Sequence, residues 1–288
     1  MRETSGCRFR QNLDAERPLQ VVGVINAYCA RLAERAGFRA LYLSGAGVAN
    51  ASFGLPDLGM TSLSDVLEDA RRITGTTDLP LLVDCDTGWG SSLMIARTVR
   101  EMTRAGVAAI HLEDQVDTKR CGHRPGKQLV SAEVMVNRLK AAVDARSDAQ
   151  FVIMARTDAA AGEGLDAAIE RAARYVEAGA EMIFAEALTD VAQYRRFTQA
   201  LNVPVLANMT EFGRSPLLTV DELRDVGIRL VLYPLTAFRA MSAAAVRVYE
   251  TVRAAGTQAE LLSSMQTREA LYDVLDYHSF EARLDREQ

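Results

Sequence analysis

A cysteine stands among four potential cations in the segment Lys119-Arg120-Cys121-Gly122-His123-Arg124. Neighbouring positive charge favours thiolate over thiol, so Cys121 is predicted to exchange protons near neutral pH, where an ordinary buried cysteine would not. A solvated basic turn would have the same composition. The prediction therefore depends on what the rest of the chain brings beside this thiol.

Four carboxylates are predicted to meet at one place. Asp84 and Asp86 close an apolar run, Glu113 closes the next run, and Asp57 lies in the long second loop. Like charges this close together raise one another's pKa values unless a cation lies among them. Carboxylates that leave room for water and substrate favour Mg²⁺, or Mn²⁺, over zinc or calcium. A zinc ion on the thiol and histidine of the basic segment has too few ligands for a structural or a catalytic site.

Other residues are suited to binding the carboxylates of a substrate. The small residues of Ser44-Gly45-Ala46 let backbone amides approach an anion closely. Arg156, Arg239 and Arg268 offer the planar fork that pairs with a carboxylate. For Arg239 and Arg268, which lie on predicted helices, a surface salt bridge is an equal alternative. Together with the thiol, these groups predict an enzyme that acts on a small polyanionic acid.

Eight short apolar runs, each followed by a helix-like segment, supply the scaffold that these residues need. Several runs are continuously apolar, as expected for parallel strands covered on both faces. Eight alternations of strand and helix predict an α/β protein with a closed (β/α)8 barrel of TIM type, in which the residues after the strands converge on the carboxyl-terminal mouth. The runs are residues 19–25, 40–43, 81–83, 109–112, 151–155, 182–184, 205–207 and 230–232.

The residues between the runs support this count. A glycine precedes the second, fourth, sixth and eighth runs, where a helix must end in a left-handed conformation. A proline precedes the third and seventh runs and fixes an extended backbone there. These residues are Gly37, Gly106, Gly179 and Gly227, and Pro80 and Pro204. The chain is predicted to form one domain over residues 1–288, with an N-terminal arm at 1–17 and a helical tail at 256–288.

Composition limits the class of protein. The net charge of −5 leaves no broad cationic surface for nucleic acid or anionic lipid. No run reaches the roughly 18 apolar residues that a membrane span needs, and no apolar segment of signal-peptide length lies near the start. The cysteines lack paired spacing, which favours reduced thiols and predicts a cytoplasmic protein. They are Cys7, Cys29, Cys85 and Cys121.

Over essentially its whole length, the sequence resembles the isocitrate lyase and phosphoenolpyruvate mutase superfamily. The shared motifs are Tyr42-Leu43-Ser44-Gly45, Gly54-Leu55-Pro56-Asp57-Leu58-Gly59, Asp84-Cys85-Asp86-Thr87-Gly88-Trp89-Gly90, Lys119-Arg120-Cys121-Gly122-His123 and Ala155-Arg156-Thr157-Asp158-Ala159. The Lys119–His123 motif also occurs in carboxyphosphonoenolpyruvate mutases and does not separate the branches. Five further motifs closely resemble the 2-methylisocitrate lyase branch: His123-Arg124-Pro125, Asn208-Met209-Thr210-Glu211-Phe212-Gly213, Leu232-Tyr233-Pro234-Leu235, Phe238-Arg239-Ala240-Met241 and Met265-Gln266-Thr267-Arg268.

The resemblance implies a reversible cleavage of 2-methylisocitrate to pyruvate and succinate, in the methylcitrate route of propionate breakdown. Asp86 would bind magnesium directly, and the other three carboxylates would hold its waters. Tyr42 would take the hydroxyl proton and Cys121 would protonate the succinate fragment, with Arg156 as a further catalytic residue. Ser44, Gly45, Ala46, Arg156 and Glu186 would surround the pyruvate part, and the succinate carboxylates would contact Gly122, Asn208, Met209, Thr210, Arg239 and Arg268.

Related substrates and an inactive scaffold are the alternatives. Phe184 and Leu232 are predicted to shape a pocket for the extra methyl group, but one methylene is worth only about 1–3 kcal/mol. Isocitrate, dimethylmalate, oxaloacetate and carboxyphosphonoenolpyruvate therefore stay open as substrates of a lyase, decarboxylase, hydrolase or mutase. A scaffold that had lost activity would lack a metal ligand or the proton donor, and both are present here.

The superfamily also implies a homotetramer in which the last barrel helix is exchanged between subunits. The tail is compatible with this arrangement, because residues 259–273 carry an apolar stripe at helical spacing that needs a neighbour. Its members are Leu261, Leu262, Met265 and Leu271. Packing of the same stripe on its own barrel is the alternative, because exchange of an element uses the same surfaces as the closed form.

Overall fold

A computed structural model describes residues 3–124 and 126–287. Pro125 of the predicted motifs, the first two residues of the N-terminal arm and Gln288 lie outside the described residues. Within the described ranges, eight parallel strands form a closed barrel in sequence order. The strands are β1 Leu19–Gly23, β2 Ala40–Leu43, β3 Leu81–Asp84, β4 Ala109–Glu113, β5 Val152–Thr157, β6 Met182–Ala185, β7 Val205–Asn208 and β8 Leu230–Tyr233. The predicted (β/α)8 barrel is confirmed.

The helices alternate with the strands as predicted. They are α1 Ser5–Ala15, α2 Ala27–Arg35, α3 Gly45–Gly47, α4 Leu63–Thr74, α5 Ser92–Arg104, α6 Ala132–Asp144, α7 Leu165–Glu177, α8 Val191–Ala200, α9 Val220–Asp225, α10 Thr236–Ala255, α11 Arg268–Leu275 and α12 Tyr277–Glu287. A π-helical turn follows α3 at Val48–Ser52, and 3-10 turns lie at Ala159–Ala161 and Ala259–Ser264. The glycines predicted to end helices have φ values between 77° and 103°, so the left-handed conformation is confirmed at all four.

Two apolar layers hold the barrel together. Strand residues that point outward pack under the helices, where Tyr175 and Phe197 are fully buried. Residues that point inward, such as Met154 and Leu206, fill the barrel itself. Both faces of the strands are therefore covered, which explains why the predicted runs are apolar without alternation.

Helix α1 closes the amino-terminal end of the barrel, a role that the sequence did not predict for the arm. Its Phe9 is fully buried among the inward-facing residues of the strands, and Leu13 is buried beside it. Arg10 and Asn12 donate hydrogen bonds to backbone carbonyls that precede β5 and β2, at 3.0 Å and 2.8 Å. The arm is thus part of the barrel core.

The apolar stripe predicted at 259–273 is divided between two elements of the C-terminal region. The 3-10 turn ends at Ser264, the next residue Met265 is extended, and α11 begins only at Arg268. Thr267 caps that new helix by accepting a hydrogen bond from the Ala270 backbone at 3.1 Å. This cap starts a new helix in the middle of the stripe, so the stripe residues lie on two separate elements.

Candidate active site

The predicted acidic pair turns into the carboxyl-terminal mouth immediately after β3. Asp86 has a φ of 46°, a left-handed conformation that is uncommon for residues other than glycine. Its backbone N–H donates to Asp84 Oδ1 at 3.1 Å. Both carboxylates face Gly45, where a Cβ atom would lie 3.1 Å from Asp86 Oδ1 and 3.2 Å from Asp84 Oδ2. Cys85, between them, faces the outer layer.

A lysine lies among the carboxylates, and the sequence had not assigned it that position. Lys119 Nζ contacts Asp57 Oδ1 and lies 2.9 Å from Asp86 Oδ1. Burial opposes the charge of this ammonium, but Asp86 and Asp84 raise the pKa of Lys119 above its usual value. The cation that like-charged carboxylates require is therefore supplied, at least in part, by the basic segment itself.

The same surroundings separate the pKa values of the acidic groups. Burial opposes ionisation of Asp84, but the neighbouring His111, Lys119 and Arg156 lower its pKa to about 2. Lys119 and Arg156 carry this effect at neutral pH, because burial lowers the pKa of His111 to about 4 and leaves its ring neutral. Burial and the Asp84 charge raise the pKa of Asp86 to about 6. Burial raises the pKa of Glu113 well above its usual value.

Tyr42 lies on β2 inside the mouth, beside a buried histidine of β4. Its hydroxyl is 2.9 Å from His111 Nε2 and 3.5 Å from Asp84 Oδ2. The two rings stack with centroids 5.8 Å apart. Burial and the Asp84 charge raise the pKa of Tyr42 well above 10, so the resting group is a neutral phenol.

Arg156 and Glu186 form a second charged group across the mouth. Arg156 directs two nitrogens to Asp158, at 3.0 Å and 3.3 Å, and a third contact reaches Glu186 at 3.2 Å. Burial opposes ionisation of Glu186, but Arg156 and His123 lower its pKa. Asp158 and Glu186 thus engage Nε and Nη2 of Arg156 in this structure, and contact of Arg156 with a substrate carboxylate stays a prediction.

The basic segment lies over this group with its thiol in the cavity. A Cβ atom on Gly122 would lie 2.5 Å from Arg156, so only glycine allows the backbone to come this close. His123 Nδ1 accepts the Arg214 backbone N–H at 2.9 Å, which leaves the proton on Nε2, 2.9 Å from Glu186 Oε1. The His123 ring therefore lies between the Arg214 backbone and the Glu186 carboxylate, and Cys121 is exposed to the mouth.

A cavity of about 240 Å³ connects these groups. Twelve of the predicted site residues line it: Tyr42, Ser44, Ala46, Asp57, Asp84, Cys121, Gly122, Arg156, Glu186, Asn208, Thr210 and Arg239. Phe184 and Leu232, predicted to receive the methyl group, line it as well, and so do Asn50, Lys119, Arg120 and His123. A larger depression of about 770 Å³ lies at the opposite end of the barrel, against α1, away from this chemistry.

Five predicted residues do not line the cavity in the described part of the chain. Asp86 and Glu113 are buried beside two residues that do line it, Lys119 at 2.9 Å and Arg156 at 3.4 Å. The Gly45 N–H donates to Asp84 Oδ2 at 3.1 Å and is not free for an anion. Met209 points into the outer layer, since it follows Asn208 and neighbouring strand residues face opposite sides. Arg268 is exposed at the start of α11.

Two polar residues that follow apolar runs, Asn26 and Asp114, serve the scaffold and not the mouth. Asn26 caps α2 by accepting the Cys29 backbone N–H at 2.9 Å. Asp114 is fully buried outside the barrel, where Thr157 and Tyr175 donate hydrogen bonds to it. These residues follow strands as the pattern required, but their side chains point away from the mouth.

The acidic residues fit a magnesium ion, although no three His, Cys, Asp or Glu side chains among residues 3–124 and 126–287 form a ready ligand set. Magnesium keeps several waters and needs only one or two carboxylates. Glu113 Oε1 is buried and accepts no hydrogen bond from any described residue, and Asp86 reaches into the mouth only through a left-handed backbone. An all-oxygen donor set of this kind selects a hard cation.

The fold and the site define a (β/α)8-barrel enzyme with its chemistry at the carboxyl-terminal mouth. The sequence profile of the phosphoenolpyruvate phosphomutase family matches residues 9–253. The chain belongs to that family.

Individual relatives agree with this assignment. A 2-methylisocitrate lyase of Shewanella oneidensis is 60% identical over 286 residues, covering 99% of this chain and 98% of the relative. The crystal structure of 2,3-dimethylmalate lyase superposes with a TM-score of 0.92 at 34% identity, covering 100% of this chain and 96% of that one. A phosphonopyruvate hydrolase in complex with oxalate and Mg²⁺ gives 0.85 at 29% identity, covering 97% and 98%. The stated resemblance and the prediction of a lyase are confirmed.

Proposed function

We propose that this protein is a magnesium-dependent carbon–carbon lyase that cleaves 2-methylisocitrate to pyruvate and succinate in the methylcitrate route of propionate breakdown. The observation that carries this proposal is the thiol of Cys121 over a mouth that holds a carboxylate cluster on one side and Arg156 with Glu186 on the other. The identity of 60% to a 2-methylisocitrate lyase over nearly the whole chain supports this substrate over the related acids.

The carboxylate cluster would hold the metal. Asp86 would bind Mg²⁺, or Mn²⁺ in its place, and Asp57, Asp84 and Glu113 would hold its waters. A bound ion would act as a Lewis acid that polarises the hydroxy-acid end of the substrate and favours the phenolate of Tyr42. Because the pKa of Asp86 is about 6, its carboxylate is ionised and ready for a cation at neutral pH.

Two residues of the chain would move the protons. Tyr42, in the phenolate form that a bound ion would favour and 2.9 Å from His111 Nε2, would accept the substrate hydroxyl proton as the carbon–carbon bond breaks. The bonding electrons remain on the carbon that becomes part of succinate, and Cys121 gives its thiol proton to that carbon. Tyr42 gains the hydroxyl proton and Cys121 loses its thiol proton. A proton must therefore return to Cys121 before the next turnover.

The remaining lining residues would orient the substrate. Ser44 and Ala46 lie on the Tyr42 side of the mouth, near the pyruvate part. Asn208 ends β7, Thr210 follows it, and Arg239 lies on α10; these three lining residues would bind the succinate carboxylates. The group of Asn208 that can donate to a carboxylate is Nδ2, which donates to Glu186 Oε1 at 3.3 Å. Gly45 would act indirectly, by donating its backbone N–H to the Asp84 carboxylate. Met209 would act indirectly as well, by packing in the outer apolar layer behind Asn208 and Thr210.

We also propose a homotetramer that exchanges α10 between subunits. All 20 residues of α10 are described and none is buried, although Met241, Val246 and Tyr249 expose apolar surface. In contrast, the tail packs on its own barrel, where Tyr28 donates to Gln266 at 2.7 Å. Contact of Arg268 with substrate stays a prediction that requires this residue to reach the mouth of another subunit.

A cytoplasmic location is proposed on two observations. Cys7, Cys29, Cys85 and Cys121 all carry free thiols, as expected for a reducing compartment. No described helix has the length and apolar character needed to cross a membrane.

A product assay tests the proposed reaction. Purified protein is expected to release pyruvate and succinate from 2-methylisocitrate faster than it cleaves isocitrate, 2,3-dimethylmalate, oxaloacetate or phosphonopyruvate, and a chelator is expected to abolish the release until Mg²⁺ is restored. Faster turnover of another acid would reassign the substrate. Undiminished turnover after complete metal removal would exclude the metal from the reaction.

A further inference from the structure

The loop that carries the proposed proton donor is held from both sides by side chains that do not line the cavity. We call residues 119–124 the thiol loop. On one side it is held by Gln115, two residues after β4, and on the other by Lys127. Neither contacts the space that the substrate would occupy, and neither was assigned a role by the sequence.

Gln115 holds the residue before the thiol. Its Nε2 donates to the Arg120 carbonyl at 2.8 Å, and the Arg120 N–H donates to its Oε1 at 3.0 Å. The Gln115 side chain is fully buried and satisfies both backbone polar groups of Arg120 at once. Its own backbone is fixed in turn, because the Gln115 carbonyl accepts a hydrogen bond from Arg138 at 2.8 Å.

Lys127 holds the residue after the thiol. Its Nζ donates to the Gly122 carbonyl at 2.5 Å and to Asp158 Oδ1 at 2.8 Å. The lysine side chain is 7% exposed and the aspartate side chain is completely buried. Asp158 is anchored next to β5, because its backbone N–H donates to Asp114 Oδ1 at 2.9 Å. The ammonium therefore ties the loop to a rigid part of the barrel.

We propose that Gln115 and Lys127 are positioning residues that form a clamp on Arg120 and Gly122, the two residues flanking Cys121. The clamp fixes the distance between the Cys121 thiol and the residues that line the mouth. The next residue, Gly122, already lies against Arg156 and Glu186. An acid must lie within hydrogen-bond reach of the carbon that it protonates, and a misplacement of about 1 Å can cost about 100-fold in rate. The catalytic consequence of the clamp rests on the proposed function, whereas its effect on the loop does not.

Two variants test the clamp. Gln115→Met removes both hydrogen bonds at nearly constant volume, and Lys127→Met removes the ammonium while keeping the stem. Each is expected to lower kcat by about 10- to 100-fold, to speed hydrogen exchange in the peptide that contains Arg120, and to speed alkylation of Cys121 by iodoacetamide. Lys127→Arg keeps a charged donor and is expected to restore most of the lost rate. Lys140→Met, on the exposed face of α6, is the matched control and should match the parent protein in all three measurements.

The measurements separate the possible failures. Unchanged exchange and unchanged alkylation in both methionine variants would overturn the clamp, even if kcat fell. A parent protein that releases no pyruvate would instead overturn the proposed function, while exchange and alkylation would still test the clamp. If the buried Gln115→Met variant does not fold, Lys127→Met alone decides the question.

Discussion

The two ends of the barrel solve opposite physical problems. At the amino-terminal end, α1 buries Phe9 and Leu13 against the inward-facing strand residues, and its polar side chains reach backbone carbonyls. At the carboxyl-terminal mouth, Asp84, Asp86 and Glu113 are buried beside Lys119 and Arg156. One end gains stability from apolar burial, and the other keeps charges out of water at a cost in stability. Stability and chemistry are thus assigned to different ends, as in other barrels of this type.

The largest effect on stability is expected from the amino-terminal end. Phe9→Ala empties a fully buried site, so we expect a loss of about 3–5 kcal/mol in the free energy of unfolding. Turnover by the protein that remains folded should stay within about twofold of the parent, since the mouth is untouched. Urea unfolding with a parallel activity assay measures both. Leu217→Ala, at a site 65% exposed, is the control; a Phe9→Ala loss below about 1 kcal/mol would mean that α1 does not close the core.

The next largest effect is a loss of turnover, expected from a substitution at the carboxyl-terminal mouth. Cys121→Ser is expected to lower kcat at least about 100-fold, because a hydroxyl is a much weaker acid than a thiol at the position of the proposed proton donor. Its free energy of unfolding should hardly change. Cys7→Ser makes the same substitution on α1 at the opposite end and is expected to leave kcat within about twofold. Equal turnover by the two variants would remove Cys121 from the mechanism.

A smaller effect is expected from pH on the affinity for Mg²⁺. Protons compete with Mg²⁺ for Asp86, whose pKa is raised to about 6 by burial and by Asp84. Raising the pH toward 7 therefore strengthens binding, and lowering it below about 6 weakens the apparent affinity by about tenfold per unit. Calorimetric titration with Mg²⁺ between pH 5 and pH 8 measures this, with Asp86→Asn as the variant that should lose the dependence. An affinity that is flat from pH 5 to pH 8 contradicts the assignment of Asp86.

The smallest effect is expected for an exposed charge at the amino-terminal end. Asp14 Oδ1 lies 3.2 Å from Arg229, but its side chain is 72% exposed. Asp14→Ala should change the free energy of unfolding by less than about 0.5 kcal/mol, because solvent screens such pairs. Thermal unfolding in low and in high salt checks this. A loss above about 1 kcal/mol would show that charge also supports this end of the barrel.

The strands were the most predictable part of the molecule. Each apolar run became a strand because both faces of a closed parallel barrel are covered, and the four glycines ended helices where only a left-handed residue fits. The tail was less predictable. Its apolar spacing suited one helix, yet the cap at Thr267 starts a new helix, and the arm that looked peripheral turned out to fill the core.

At the mouth, the sequence by itself determined which residue types would meet. Tyr42, Asp84 and Cys121 follow or lie on strands and their loops, and a parallel barrel brings all such positions to one end. The sequence did not determine how the charges pair there. Only the tertiary structure placed Lys119 between Asp57 and Asp86, turned Arg156 to Asp158, and turned Met209 away from the cavity. The physical reason is that strand pattern fixes where a residue lies along the chain, whereas pairing of buried charges depends on distances between segments far apart in sequence.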